Sequence, residues 1–441
     1  MVKEVIEVSY NDLAVGAASY DPVTKQSAFE YDPSFISSGI ELSPLMMPLS
    51  KKIYSFPSID HATFKGLSGL LADSLPDDFG NTVLNAWVAR NGRLPSEITP
   101  LERLKYTGAR GMGALSYSPP KRYGNSFNKS QEIEIKSLVS VAQNILSERQ
   151  GFGVELDHAG RENKDAMLEL MSVGMSAGGA RPKAVLAFNK DFSEVRSGQV
   201  EVPDGFTHYL MKFDGVSEHN KNKETFGDPL GYGAMEYTYY LMANKLCGIE
   251  MMPTQLLNEG DRRHFITQRF DRIGNKRVHV QTLNAMAHVS YKQAGSYSYE
   301  ELFGVVRQLR LKAPEAMQLL RRLIFNIVSR NHDDHSKNFG FMMNDAGVWS
   351  LSPAYDIAYS YKPDSHWVSC HWMTLNGKRD NFERSDFYSL STLSPLFTKK
   401  LIDETIDEIT QHVSTWRALA TEQAVPLSLI DEVESNLRLH I

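Results

Sequence analysis

Two cysteines, Cys247 and Cys370, are too few among 441 residues to build a disulfide framework. No apolar run approaches the roughly 20 residues a membrane-spanning helix needs. The start, Met1-Val-Lys-Glu-Val-Ile-Glu7, puts acids where a secretory leader needs an apolar stretch. A basic excess is also missing: 47 Lys and Arg stand against 53 Asp and Glu, for a net charge of -6. Bulk charge therefore gives no reason to expect independent nucleic-acid binding. These absences point to the cytoplasm, with no membrane contact. What is present is an ordinary globular composition, 42% apolar, and at roughly 150 residues per domain the length suits two or three domains.

The chain begins with short alternating segments broken by Pro, Gly and Ser, which read as strands and turns. Val83, Leu84, Trp87 and Val88 then recur at helical spacing, ending at Asn91-Gly92. Asp73 and Asp77, just before, read better as turn-bonding side chains than as functional acids. The glycines of Tyr106-Thr-Gly-Ala-Arg-Gly-Met-Gly-Ala-Leu115 imitate a phosphate loop, yet no helix follows whose N-terminus could receive phosphate, so they read as backbone packing. Ser118 to Lys129 is the best linker. After it, Ile135, Leu138, Ala142 and Ile145 share a helical face.

A second glycine-rich stretch, Ser172-Val-Gly-Met-Ser-Ala-Gly-Gly-Ala-Arg-Pro-Lys183, runs into the apolar strand Ala184–Phe188. It is not a P-loop, because no Gly-Lys-Ser/Thr opens a helix, but it fits a loop whose bare N–H groups cover phosphates. A plain tight turn fits about as well. The strand Thr207–Phe213 carries Lys212 inside an apolar-aromatic run, an expensive place for an ammonium unless it meets an anion or reaches water at a sheet edge. A helix from about Gly233 follows, with Glu236 near its start. Glycine loop, strand lysine and helix glutamate come in the order of a kinase small lobe. On that plan Ile266-Thr-Gln-Arg-Phe-Asp271 is the hinge, with the Gln268 and Phe270 backbone at the adenine edge and Asp271 at the ribose.

From Pro314, the residues Ala316, Leu319, Leu320, Leu323, Ile324, Ile327 and Val328 form one stripe, so this helix is core. It delivers Arg330-Asn-His-Asp-Asp-His-Ser-Lys-Asn338. Asp333 precedes Asn338 by five positions, the interval of the H-R-D-x-x-x-x-N loop in which Asp takes the hydroxyl proton and Asn holds Mg²⁺. A hairpin returns the chain to Asp356, placed for a second metal-holding carboxylate. His335 and Lys337 in the same loop are assigned to the nucleotide. His332, His335, Cys370 and His371 compose a competing zinc set, with Asp333 or Asp334 as base, though their spacing matches no zinc signature.

Leu71-Ala-Asp-Ser-Leu-Pro-Asp-Asp78, Arg110-Gly-Met-Gly-Ala-Leu115, Ser176-Ala-Gly-Gly-Ala-Arg-Pro-Lys183, Gln268-Arg-Phe-Asp-Arg272, Asn331–Asn338 and Tyr355-Asp-Ile357 together resemble the HipA serine/threonine kinases, the toxins of HipBA-type toxin–antitoxin pairs. The resemblance spans nearly the whole chain. It implies an α+β, two-lobed, protein-kinase-like fold: an N-terminal β-rich subdomain over 1–125, the nucleotide-binding part over 126–270 and a helical lobe over 271–441. It implies ATP and Mg²⁺ as cofactors, Asp333 as base, Asn338 and Asp356 as metal ligands, and Lys212 on the phosphates. Ser176, Ala177, Gly178, Gly179, Lys183, Gln268, Phe270 and Gln281 would lie near the nucleotide, with Ser176 the self-phosphorylated, inactivating serine. The implied partners are a protein substrate, among relatives an aminoacyl-tRNA synthetase, and a HipB-like helix-turn-helix antitoxin that brings the pair to operator DNA. A small-molecule phosphotransferase or a non-catalytic corepressor would carry much the same loop.

Overall fold

The computed structural model describes residues 4–121, 135–148, 181–219 and 225–441. The chain divides into two compact units, one of residues 1–42, 47–233 and 255–280, the other of residues 43–46, 234–254 and 281–441.

In the first unit, β1 (Glu4–Tyr10), β2 (Leu13–Asp21), β3 (Gln26–Tyr31) and β4 (Leu115–Ser118) form, among the described residues, an antiparallel sheet ordered β3-β2-β1-β4. Alternation along β1 buries Ile6, Val8 and Tyr10 on one face, as the period of two requires. Helix α1 (Asp78–Arg90) starts at Asp77, whose carboxylate accepts the Gly80 N–H at 2.5 Å and caps the first turn. Helix α2 (Pro100–Thr107) is capped by Thr99. A further sheet combines β5 (Lys183–Phe188), β6 (Val195–Ser197), β7 (Thr207–Lys212), β8 (Thr254–Glu259) and β9 (Arg262–Gln268) in the order β8-β9-β7-β5-β6. All six residues of β5 are buried, as suits an inner strand.

The expected boundary near residue 125 does not separate two bodies. Phe79, Val83, Leu84 and Val88 of α1 belong to the same core cluster as Leu138 and Ala142 of α3 (Ile135–Glu148) and Leu186, Met211 and Ile266 of the sheet. Each such side chain buried is worth about 1.5–3 kcal/mol, so the N-terminal region and the sheet share one core.

In the second unit, α4 (Tyr232–Tyr240) runs into a π-helical turn over Leu241–Leu246 and stops at Gly248, with Met235, Tyr239 and Met242 fully buried. The reversal over 234–254 thus packs here. Helix α5 (Tyr299–Gln308) opens with the capping box Ser298/Glu301. Helix α6 (Ala313–Val328) follows Pro314 at its first turn and buries Leu319, Leu320, Leu323, Ile324, Ile327 and Val328. Tyr239 packs on Phe325 of α6 and on Trp416, and donates its hydroxyl to the Ser329 carbonyl at 2.7 Å. Helices α7 (Lys399–Val413), α8 (Trp416–Glu422) and α9 (Leu427–Asn436) complete this mainly helical unit. Among the described residues no helix is long and apolar enough to cross a membrane.

Candidate active site

The loop after α6 is shaped by backbone geometry before any side chain acts. Ser329 ends the helix, and Arg330, at φ +61°, turns the chain. The His332 N–H then bonds the Ser360 carbonyl at 3.1 Å and the Ser360 N–H bonds the Arg330 carbonyl at 3.1 Å, tying the loop to the segment beyond Asp356. Tyr355 donates its hydroxyl to the Lys337 carbonyl at 2.7 Å. Gly340 permits that approach: a Cβ there would sit 3.1 Å from the Tyr355 hydroxyl and 2.9 Å from Ser352 Oγ.

The two adjacent acids are in opposite situations. Asp334 has no exposed side-chain surface. Its carboxylate accepts from the Tyr299 hydroxyl at 2.8 Å, His371 Nδ1 at 2.8 Å and the Trp372 N–H at 2.7 Å, and Asn326 supports Tyr299 at 3.2 Å. Burial and Asp334 together hold the Tyr299 hydroxyl well above its usual pKa. Asp333 is 43% exposed at its side chain, with Oδ1 3.5 Å from His335 Nε2. The Asn338 Nδ2 donates to the Asp333 carbonyl at 2.7 Å, closing the five-residue interval and fixing which amide atom is left to coordinate. Asp356 holds φ at +53°, a conformation costly for a non-glycine residue, and its carbonyl lies 3.5 Å from Asn331 Nδ2. Lys337 lies over the Tyr291 ring at 4.7 Å.

The zinc set is not assembled. His371 is engaged by Asp334, while His332 turns Nδ1 to the Val368 carbonyl at 3.1 Å and lies 4.1 Å, centroid to centroid, from His371. Burial, then His371 and nearby arginines, push the His332 pKa far down. His335 faces Asp333 and Tyr291 instead. Among the described residues no three His, Cys, Asp or Glu side chains are grouped to hold a metal.

In the first unit, Lys183 and Lys212 are directly opposite in the β5–β7 register, which puts two ammonium groups on one sheet face. Lys212 is 6% exposed and lies over the Phe265 ring at 5.5 Å. Lys183 corrects the expectation of an open nucleotide ligand: its side chain is 3% exposed and its ammonium is 3.3 Å from the Asp77 carboxylate. Gln268 and Phe270 are half-buried at the end of β9, where the Arg269 N–H bonds the His208 carbonyl at 2.9 Å.

Asp271 is a second correction. It has no exposed surface, and it accepts from Arg269 Nε at 2.8 Å, Arg272 Nη1 at 2.6 Å and the Gly113 N–H at 2.8 Å. Burial alone would raise its pKa, but Arg269 and Arg272 outweigh that and hold it far below the carboxylate range. A carboxylate so enclosed is a structural lock and cannot bind a ribose. Gly113, at φ +73°, supplies the turn that aims its N–H there. Gln281, 1% exposed, lies in the strand His279–Thr282. Ser176, Ala177, Gly178 and Gly179 lie outside the described residues.

The partners of Asp334, namely Tyr299, His371 and Trp372, went unread in the sequence. They stand 35, 37 and 38 positions away, beyond any local pattern.

With this geometry in hand, comparison with known proteins is informative. Residues 6–118 match the HipA N-terminal domain and residues 175–416 the HipA-like C-terminal domain. The chain belongs to the HipA family. Among its curated relatives, "Putative kinase Y4mE" of Sinorhizobium fredii is 27% identical over 120 residues, 25% of this chain and 28% of that protein. "Putative kinase Y4dM" of the same organism is 21% identical over 276 residues, 58% of this chain and 66% of that protein. The match thus spans less than two thirds of either relative. Among solved structures, HipA of Shewanella oneidensis MR-1, determined with HipB and its operator DNA, superposes with a TM-score of 0.65 at 17% identity, covering 98% of this chain and 95% of that one. The α+β fold is therefore that of HipA, a sheet-rich unit and a mainly helical one.

Proposed function

We propose that this HipA-family chain is an ATP-dependent kinase that phosphorylates Ser or Thr of a cytosolic protein. The observation that carries the reading is the division of labour within the loop: Asp334 is consumed internally, while Asp333 is exposed and held by Asn338 at the interval a phosphotransfer loop uses. In the reaction, Asp333 takes the proton of the acceptor hydroxyl as its oxygen bonds the γ-phosphorus. The bond from that phosphorus to the β–γ bridging oxygen breaks, and ADP departs. Asn338 and Asp356 offer hard oxygen donors suited to Mg²⁺, which when bound would neutralise charge on the phosphates. In the sheet-rich unit, Lys212 would hold phosphate oxygens, and the Gln268 and Phe270 backbone would meet the adenine edge. We further propose that Ser176 is the self-modified serine, and that a HipB-like antitoxin neutralises the chain and carries it to operator DNA.

Incubation with Mg-ATP and either a heat-cleared soluble protein extract or a metabolite pool tests the reading. Phosphate on protein Ser or Thr, lost in Asp333→Asn, is the expected result. Transfer only to metabolites would make this a small-molecule phosphotransferase, and no transfer at all would leave a corepressor.

A further inference from the structure

Beside the catalytic loop lies a cleft lined by Val289, Gln293, Tyr297, His335, Trp372 and Met373, among others. Its walls are stitched together by backbone bonds. The Gly295 N–H bonds the Trp372 carbonyl at 2.7 Å, the Thr374 N–H the Tyr297 carbonyl at 3.0 Å, and the Tyr299 N–H the Thr374 carbonyl at 2.9 Å. Two polar atoms of lining residues are buried and have no partner: Trp372 Nε1 and His335 Nδ1. Trp372 is only 6% exposed. An indole N–H can only donate, and leaving it buried and unmet costs about 1–3 kcal/mol. His335 turns Nε2 toward Asp333, 3.5 Å from Oδ1; with the ring proton there, Nδ1 is an acceptor. The cleft thus offers one donor and one acceptor between apolar walls, the complement of a carbonyl and an N–H on an extended peptide. Its lining includes no Lys or Arg, so nothing in it favours a phosphate-bearing ligand. Outside it, Trp367, 49% exposed, stacks on Trp372 with centroids 5.6 Å apart and planes 20° apart, and Trp372 meets His335 edge-on at 6.2 Å. An aromatic ladder therefore runs from solvent to the neighbour of the catalytic base.

We propose that this cleft is the acceptor-peptide subsite of the kinase, an inference that rests on the protein-phosphotransfer reading above. The segment bearing the acceptor hydroxyl lies extended, its carbonyl on Trp372 Nε1 and an N–H on His335 Nδ1, with an apolar flanking side chain against Trp367. Main-chain bonds then give affinity and the tryptophan gives selectivity.

An oriented library of Ser- and Thr-centred peptides with Mg-ATP tests it. Trp372→Phe, which keeps the ring but removes the donor, should raise the peptide KM about tenfold, the equivalent of one hydrogen bond, while the KM for ATP stays put. Trp367→Ala should flatten the wild-type preference for an apolar residue at one position beside the acceptor. Unchanged peptide KM and selectivity in both variants would overturn the subsite, as would a wild type that phosphorylates intact proteins but none of the peptides. A wild type that transfers phosphate to no protein or peptide would instead remove the kinase reading, and this inference with it.

Discussion

Replacing each of the two neighbouring acids by its amide should damage the protein in opposite ways. In Asp334→Asn the retained oxygen can still accept the Trp372 N–H, but the new NH₂ confronts two donors, the Tyr299 hydroxyl and His371 Nδ1, each at 2.8 Å from the present carboxylate. A hydrogen bond to a charged group is worth about 1.5–3 kcal/mol. Tyr299 can rotate its hydroxyl to accept and His371 can change tautomer, so the net loss should be about 3 kcal/mol, not the full sum. At roughly 2–4 °C per kcal/mol for a unit of this size, the melting temperature should fall about 6–12 °C. Asp333 is 43% exposed with one 3.5 Å contact to His335, so Asp333→Asn should cost under about 1 kcal/mol. Its phosphotransfer should nonetheless drop about 10²–10⁴-fold. Thermal melts followed by circular dichroism, paired with initial rates well below the melting range, separate the two effects. If Asp334→Asn melts with the wild type and is inactive while Asp333→Asn retains activity, Asp334 is the base and the argument from burial is wrong.

Further consequences can be checked in the same preparations. Activity should require Mg²⁺ and survive a zinc-selective chelator; one equivalent of zinc with loss on chelation would contradict the assignment of Asn338 and Asp356. After incubation with Mg-ATP, mass spectrometry should find phosphate on Ser176, and the modified form should bind nucleotide more weakly, because phosphoserine adds about -1.5 to -2 charges beside the ATP phosphates; equal affinity before and after would refute the switch. His208 and His264 in the sheet-rich unit are pushed down to about 4, first by burial. Because the unfolded chain binds protons on them near 6.5, that unit should be fully stable above pH 6.5 and lose stability as pH falls toward 4, by up to about 1.4 kcal/mol per histidine per pH unit. His208→Gln should flatten the melting-temperature profile over that window, and an unchanged slope would exclude His208 as a cause.

The sequence made visible what local spacing encodes. The stripe of Ala313–Val328, the capping box at Ser298 and the role of Asp77 as a turn and cap residue are each set within a few positions, and each appears in the structure. The five-residue interval from Asp333 to Asn338 was legible for the same reason, and the structure closes it with a single hydrogen bond. Lys183 and Asp271 were misread because their partners are distant. Asp77 lies more than a hundred residues before Lys183, and Gly113 is 158 positions from Asp271. A charged residue in a hinge-like motif looks the same in sequence whether it meets a ligand or a buried arginine.

The lock around Asp271 also bears on how such a chain can be divided or recombined. Arg272 donates to the Gly111 carbonyl at 2.9 Å and Arg277 Nε to the Gly113 carbonyl at 3.1 Å, while Gly113 returns its N–H to Asp271. The loop Arg110–Ala114 falls within the HipA N-terminal match, and the arginines within the C-terminal one. Two segments that look like separable modules thus share one buried charge cluster. Cutting between them would strand guanidinium groups whose carbonyl acceptors had left. A fragment starting after residue 121 should be insoluble unless the missing piece is supplied in trans, and swaps between relatives should succeed only when the glycine loop and the arginines travel together.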